Sequence, residues 1–185
     1  MASPVGHTLA GVAIFYLGGG RRLQRQGQTS WQRLAPFILL PNLPDVDFLM
    51  SYVLYDNARL LHGGMTHTLV FVAVCSLLIM PSRLFGSFLA TFLLAFVLIG
   101  SHLFIDMSSG DPISGERGVG VMLFYPFSLE RIHSPLVLFF GIRYRTIHDL
   151  LSTYNLFAIL WDSLLFLLMI TLYNGLRRSR FLEKT

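Results

Sequence analysis

Residues 41–68 read PNLPDVDFLMSYVLYDNARLLHGGMTHT and place Asp45, Asp47, His62 and His67 between two strongly apolar segments. Carboxylates at the centre of a membrane helix cost about 2.5–3.5 kcal/mol each, so they occur mainly near helix ends, in watery cavities or beside a cationic partner. A bound metal ion is such a partner. This stretch therefore predicts a break in the apolar segments and a polar site at the break.

The composition predicts one integral membrane domain over residues 1–185. The chain is 54% hydrophobic and only 13% charged, with a mean hydropathy of +0.61, which leaves too little polar surface to cover a soluble globule. The net charge is +4, but the cations are scattered or lie at segment ends, so we predict no nucleic-acid partner. The single cysteine, Cys75, lies in an apolar run, which excludes disulfides and cysteine-ligated metal.

The pattern of apolar runs predicts an all-α fold, a polytopic bundle with about five membrane segments. The predicted segments are residues 4–18, 31–54, 66–80, 85–107 and 154–174. Pro36, Pro41 and Pro44 predict that the second segment is a broken helix. Residues 108–152 are rich in glycine, proline and charge, and they predict one long extracytoplasmic loop with short structured pieces.

The distribution of cations predicts the orientation in a plasma or inner membrane. Arg21, Arg22, Arg25 and the cations after residue 174 fall on one face when the five segments are threaded alternately. By the positive-inside rule this face and the C-terminus are cytoplasmic, and the N-terminus lies outside. The same threading brings seven candidate metal ligands to the extracytoplasmic face. They are His7, Asp45, Asp47, His62, His67, His102 and Asp106.

The spacing of these residues suggests how they meet. His102 and Asp106 are four apart, which puts both on one stripe of a helix. Gly63 and Gly64 predict a bend that folds His62 back over His67. Asp45 and Asp47 are two apart and point to opposite sides of an extended turn, so one can bind metal while the other bridges ions or orients a histidine.

Mixed imidazole and carboxylate ligands favour zinc, with manganese or iron as alternatives, and their number allows one or two ions. Such a site lowers the pKa of water and neutralises charge on a phosphoryl or acyl group, so hydrolysis is its natural chemistry. The catalytic candidates are Asp45, Asp47 and His67. Arg117 or Arg131 is a candidate phosphate clamp.

Four motifs together resemble the YdjM-like family of inner-membrane-associated metal-dependent hydrolases, also described as LexA-binding. They are GHTLAG around His7, LPDVD around Asp45 and Asp47, HGGMTHT around His62 and His67, and HLFIDMSSGDP around His102 and Asp106. The resemblance covers about residues 1–127 and implies a membrane-embedded metal hydrolase, with a ligand order similar to that of zinc-dependent phospholipase C enzymes. Family members usually carry a bulky or basic residue after the position of His62, where this chain has two glycines.

The predicted function is hydrolysis of a phosphoester or ester in a lipid or another amphiphile, with membrane lipid as the partner. Two alternatives are a metal or ion transporter and a non-catalytic membrane protein stabilised by metal. The remaining polar residues are less informative. His133 and His148 are predicted to be ordinary solvated histidines, and Asp162 either makes an interhelical hydrogen bond or supports the site.

Overall fold

The computed structural model describes residues 1–17, 29–55, 62–143, 149 and 151–182, and His148 lies outside this part of the chain. The fold is mostly helical, as the sequence predicts. The described residues form six α-helices, namely α1 (Pro4–Leu17), α2 (Ser30–Leu39), α3 (Val46–Tyr55), α4 (Leu69–Ile79), α5 (Phe88–Met107) and α6 (Thr153–Leu182). Short 3₁₀ helices, Leu40–Asn42 and Met80–Ser82, follow α2 and α4.

Within the described residues, three helical stretches are long and apolar enough to cross a membrane. They are Ser30–Tyr55, which combines α2, the first 3₁₀ helix and α3, then Phe88–Met107 and Thr153–Leu176. Helix α1 and the stretch Leu69–Ser82 are apolar but shorter. The chain is thus a membrane protein by length and composition, and the count of five membrane segments stays a prediction.

The predicted break in the second segment is present. Around it the backbone bonds in a 3₁₀ pattern, since the Asp45 N–H donates to the Asn42 carbonyl at 3.2 Å and the Phe48 N–H donates to Asp45 at 3.0 Å. The carbonyl of Pro41 would take its 3₁₀ bond from residue 44, but Pro44 has no N–H. The Asp45 N–H, which would serve it in an α-helix, is already used. The break therefore leaves the Pro41 carbonyl free for another donor.

Hydroxyl caps set the starts of α4 and α5. The Thr68 hydroxyl accepts from the Phe71 N–H at 3.0 Å, and the Ser87 hydroxyl accepts from the Ala90 N–H at 3.1 Å. Helix α4 consequently begins three residues after the predicted start at residue 66. His67 therefore lies in the loop just before the helix and not on one of its faces.

The bundle packs α1 against α2, α5 and α6, and α4 against α5. Val72, Ile99 and Leu103 fill the space between α4 and α5. At the contact between α1 and α2, Gly11 lies so close to α2 that a Cβ there would be 1.7 Å from the Phe37 carbonyl oxygen. The close approach holds α1, and with it His7, against the broken segment.

The region after α5 contains a small sheet that the all-α prediction omitted. Strands β1 (Ser109–Asp111), β2 (Glu116–Arg117) and β3 (Phe139–Phe140) lie in the order β2-β1-β3, with β1 antiparallel to β2 and parallel to β3. The prediction that His133 is an ordinary solvated residue was wrong. Its ring is half-buried against Gly120, and its Nδ1 is shielded from solvent.

Candidate metal centre

Seven side chains from separate parts of the chain converge at one end of the bundle. His7 comes from α1, and Asp45 and Asp47 come from the break and the first turn of α3. His62 and His67 come from the loop before α4, and His102 and Asp106 come from the last turns of α5. They form two groups whose ligand atoms each lie within 4.8 Å of one another, namely Asp45, Asp47, His62 and His67, and His7, His102 and Asp106.

Four atoms from both groups form a compact cage. The Nε2 atoms of His67 and His102 are 3.0 Å apart, and Asp106 Oδ2 lies 3.4 and 3.3 Å from them. Asp45 Oδ1 lies 3.7 Å from His67 Nε2 and 3.5 Å from His102 Nε2. Ligands at 2.0–2.1 Å around tetrahedral zinc are about 3.3–3.4 Å apart. The five distances, 3.0–3.7 Å, are thus close to those between the ligands of a tetrahedral zinc ion.

The broken segment fixes the tautomer of His102. Its Nδ1 lies 2.8 Å from the Pro41 carbonyl oxygen, the one that the break frees. Because a carbonyl oxygen can only accept, Nδ1 carries the proton. In the neutral ring, Nε2 is then an acceptor that faces the cage.

Thr66 and Asp47 fix the tautomer of His67 in the same way. His67 Nδ1 lies 3.0 Å from Thr66 Oγ1 and 3.3 Å from Asp47 Oδ2. The Thr66 hydroxyl donates its own proton to Asp47 Oδ2. Nδ1 is therefore the donor on this side of the ring, and His67 also presents Nε2 to the cage. A histidine held this way by a carboxylate is typical of metal ligands.

The cage consequently collects four acceptor atoms and needs a cation. Asp106 Oδ2 is buried and has no hydrogen-bond partner among the described residues, and an unpaired buried carboxylate oxygen is costly. Burial alone would lower the pKa of His67, but the neighbouring carboxylates of Asp106, Asp45 and Asp47 outweigh it and raise that pKa well above its ordinary value. A proton on His67 or a divalent ion would satisfy the same atoms.

Asp47 is the centre of a separate hydrogen-bond group. It accepts from His62 Nδ1 at 2.8 Å, from the Gly63 N–H at 3.2 Å and from the Thr66 hydroxyl. Gly63 has φ +76°, which makes the bend predicted from the sequence, and the rings of His62 and His67 meet at 90° with centroids 5.0 Å apart. Asp45 faces the cage while Asp47 orients histidines, a division of roles that their spacing predicts.

On the other side, His7 and Ala2 hold the cage ligands from α5. The ring of His7 stacks on His102 with centroids 3.7 Å apart, and its Nε2 lies 3.5 Å from Asp106 Oδ1. The same oxygen accepts the Ala2 N–H at 2.8 Å. These contacts direct Asp106 Oδ2 into the cage. Sequence reasoning missed Ala2, because a backbone amide has no signature in residue type.

Asp162 ties the last helix to the start of α1. The Ser3 hydroxyl donates to Asp162 Oδ2 at 2.6 Å and accepts the Gly6 N–H at 2.9 Å, so it also caps α1. Asp162 of α6 thus bonds to the residue that precedes α1, and this bond fits both predicted alternatives, a hydrogen bond between helices and support of the site. The bond fixes the segment that carries Ala2 and His7.

Asp45 is the one member of the cage with a partly exposed side chain, at 22% against 0% for His67, His102 and Asp106. It lies at the wall of a cavity of about 350 Å³, which we call the apolar cavity. Its lining residues are Ala2, Pro4, Asn42, Asp45, Val46, Phe48, Leu49, His62 and Ile142. The cage is therefore accessible from a mainly apolar space.

Fold and site together define a helical membrane protein with a buried histidine–aspartate centre suited to a metal ion. The chain belongs to the YdjM inner membrane protein family, whose profile matches residues 1–181. The match confirms the resemblance seen in the motifs and extends it over α6. No curated protein and no solved structure matches the chain.

Proposed function

We propose that this protein is a membrane-bound, metal-dependent hydrolase that cleaves a phosphoester or an ester in an amphiphile. The observation that carries the proposal is the cage of four acceptor atoms whose one partly exposed member, Asp45, borders the apolar cavity. A buried centre would need no such opening if it served only the fold.

In this proposal His67, His102 and Asp106 would hold one divalent ion, and the fourth position, beside Asp45, would be left for water. Two imidazoles and a carboxylate with an open position favour zinc, and ligand type also permits manganese or iron. His7, Asp47 and His62, predicted as ligands from the sequence, act as supports through their contacts with the cage residues. A second ion would require Asp47 and His62 to exchange their hydrogen bonds for coordination. When bound, the ion would polarise a phosphoryl or carbonyl oxygen and lower the pKa of water.

Asp45 is the residue that we assign to the reacting water. Its carboxylate faces both the cage and the apolar cavity, so it can accept a hydrogen bond from a water at their boundary and take up the proton. His67 keeps its Nδ1 proton on Asp47 and Thr66 throughout. His102 likewise keeps its Nδ1 proton on Pro41.

The apolar cavity supports an amphiphilic substrate. Phe48 and Leu49 of α3 line it, and the outer side of α3 exposes Leu49, Met50 and Val53, as expected for a surface that faces lipid. An acyl chain entering from the bilayer would bring its polar end to Asp45. We further propose that the centre lies on the extracytoplasmic side, as the cation distribution predicts.

A metal that only stabilises the fold is the second candidate. Structural zinc sites are usually closed by four protein ligands, and the cage offers four. The two candidates differ at Asp45, because a structural site needs this carboxylate for affinity whereas a hydrolase needs it for catalysis. Among the described residues, no contact specifically favours ion transport, the third class predicted from the sequence.

Asp45→Asn separates the candidates, with elemental analysis of purified protein and hydrolysis of membrane lipid extracts as the two readouts. For a hydrolase we expect about one ion per chain in the wild type, near-full ion content in Asp45→Asn and loss of hydrolysis. His102→Ala with Asp106→Ala should lose the ion, and Glu130→Gln, on an exposed loop, should change neither readout. An ion-free wild type, or an Asp45→Asn variant that hydrolyses lipid normally, would refute the proposal. Loss of both ion and thermal stability in Asp45→Asn, with no hydrolysis by the wild type, would favour a structural metal.

A further inference from the structure

A second cavity of about 340 Å³ lies beyond the cage on the side of the small sheet, and we call it the polar cavity. Its lining residues are Met1, Gly110, Asp111, Glu116, Arg117, Gly118, Val119, Gly141, Ile142, Arg143 and Tyr154. Strand β1 contributes Gly110 only four residues after the cage ligand Asp106. None of the charged side chains that line this cavity belongs to the metal centre described above.

The two cavities adjoin at one narrow partition. Ile142 lines both of them, Met1 lines the polar cavity and Ala2 lines the apolar cavity. The Ile142 N–H donates to the Met1 carbonyl at 2.9 Å, and the Ala2 N–H donates to Asp106 at 2.8 Å. The partition is thus hydrogen-bonded to the cage ligand Asp106 through Ala2.

Two arginines line the polar cavity, and neither has a carboxylate partner among the described residues. In the part of the chain that the structure describes, neither Arg117 nor Arg143 forms an ion pair. The backbone of Arg143 is nevertheless held in place. Its backbone N–H donates to Asn155 Oδ1 at 2.8 Å, and its carbonyl accepts from Asn155 Nδ2 at 2.7 Å. Its guanidinium lies 4.2 Å from the centre of the Tyr154 ring. An arginine guanidinium is well suited to binding a phosphate.

Two carboxylates complete the charges of the cavity. Asp111 and Glu116 are directly opposite each other on β1 and β2, while Arg117 is opposite Gly110 in the next pair. Like charges directly opposite on a sheet repel. The Ile113 N–H donates to Asp111 Oδ1 at 2.9 Å, and this bond lowers the pKa of the Asp111 carboxyl. A cation beside this pair would relieve the repulsion.

We propose that the polar cavity binds the headgroup of a phospholipid that carries both a phosphate and a primary ammonium group, as ethanolamine lipids do. Arg117 and Arg143 bind the phosphate, Asp111 and Glu116 bind the ammonium group, and the apolar cavity holds an acyl chain. The assignment names the substrate class of the proposed function and rests on it. A primary ammonium group donates hydrogen bonds to carboxylates, whereas the trimethylated nitrogen of choline has none to donate.

The test measures binding to the Asp45→Asn protein in neutral maltoside micelles by thermophoresis. The probes are lysophosphatidylethanolamine and lysophosphatidylcholine with the same chain, and free phosphoethanolamine. We expect the ethanolamine lysolipid to bind about tenfold more tightly than the choline lysolipid, as charge-assisted hydrogen bonds would give. Free phosphoethanolamine should bind far more weakly than the lysolipid, because it leaves the apolar cavity empty.

Two substitutions test which charged side chain binds which part of the headgroup. Glu116→Gln should abolish the preference for ethanolamine over choline, while Arg143→Gln should weaken both lysolipids about equally. Glu130→Gln and Arg83→Gln are matched controls that should change nothing, since Arg83 also lies over an aromatic ring but lines neither cavity.

Equal binding of the two lysolipids, or unchanged binding in Arg143→Gln, would overturn the assignment, and free phosphoethanolamine binding as tightly as the lysolipid would overturn its lipid part. If the expected binding occurs and the wild type hydrolyses no lipid, only the proposed function fails. If hydrolysis occurs without this binding pattern, only the headgroup assignment fails.

Discussion

His67 Nε2 and His102 Nε2 lie 3.0 Å apart, although the two residues are 35 positions apart in the chain, and each ring has its Nδ1 held by an acceptor on the far side. Two neutral imidazoles in this arrangement direct lone pairs at each other. The arrangement is stable only with a proton or a metal ion between them, so the two compete for this position.

The first prediction concerns pH. Because neighbouring carboxylates raise the pKa of His67, the metal-free protein keeps a proton there that a metal ion must displace. Ion affinity should therefore rise as pH rises through neutrality, with proton release on binding measured by calorimetry in buffers of different ionisation enthalpy. A raised folded-state pKa stabilises the metal-free protein fully below the ordinary histidine value of about 6.5, and this stabilisation is lost as pH rises through the folded pKa. The melting temperature in chelator should fall over that range, and a flat profile would contradict the prediction. His133→Gln should leave the profile unchanged.

The second prediction concerns Asp47→Asn. The amide loses the charge that holds His67 Nδ1 and His62 Nδ1 but keeps the size of the side chain. Ion affinity should fall about 10- to 100-fold, as for other groups that orient metal-bound histidines. Competition with a fluorescent chelator measures the change, with Glu130→Gln as the control. Complete loss of the ion would instead mean that Asp47 is itself a ligand.

The third prediction concerns Pro44→Ala. The new N–H at residue 44 can donate to the Pro41 carbonyl in the 3₁₀ pattern and compete with His102 Nδ1. Ion affinity should fall while the protein stays folded. Pro36→Ala is the matched control, because Pro36 lies inside α2, away from the break. Equal affinities in both variants would contradict the role of the freed carbonyl.

The fourth prediction concerns Asp162. Asp162→Leu leaves the buried Ser3 hydroxyl without its acceptor and should destabilise the protein by about 1–3 kcal/mol. Asp162→Asn retains an acceptor oxygen and should cost less. Thermal unfolding in detergent measures both variants. If the buried carboxylate instead destabilised the bundle, Asp162→Leu would be more stable than Asp162→Asn.

The fifth prediction compares two helical glycines. A Cβ at Gly11 would lie 1.7 Å from the Phe37 carbonyl oxygen, so Gly11→Ala must push α1 away from α2 and should cost about 1–3 kcal/mol or more. Gly175 has open space around it, and Gly175→Ala should stabilise α6 by up to about 1 kcal/mol. Thermal unfolding distinguishes the pair. Gly11→Ala should also lower ion affinity, because α1 carries His7.

Residue type and spacing predict much of the fold and of the site. Much of what they do not predict depends on backbone groups. The apolar runs predict the long helices, and the prolines and glycines predict the break before Asp45 and the bend at Gly63. The three strands have only two or three residues, too few for an alternating pattern. The contacts of the Ala2 amide and the Pro41 carbonyl depend on tertiary packing, since every residue has similar backbone groups.

The irregular backbone between α2 and α3 links the properties of the cation site to the stability of this membrane segment. A straight helix is the more stable way to cross a bilayer, and Pro44 gives up one of its hydrogen bonds. The acceptor released in this way holds the imidazole of His102. A substitution that straightens this segment should therefore raise the stability of the protein and lower its affinity for a cation. The two properties cannot be improved together at this position.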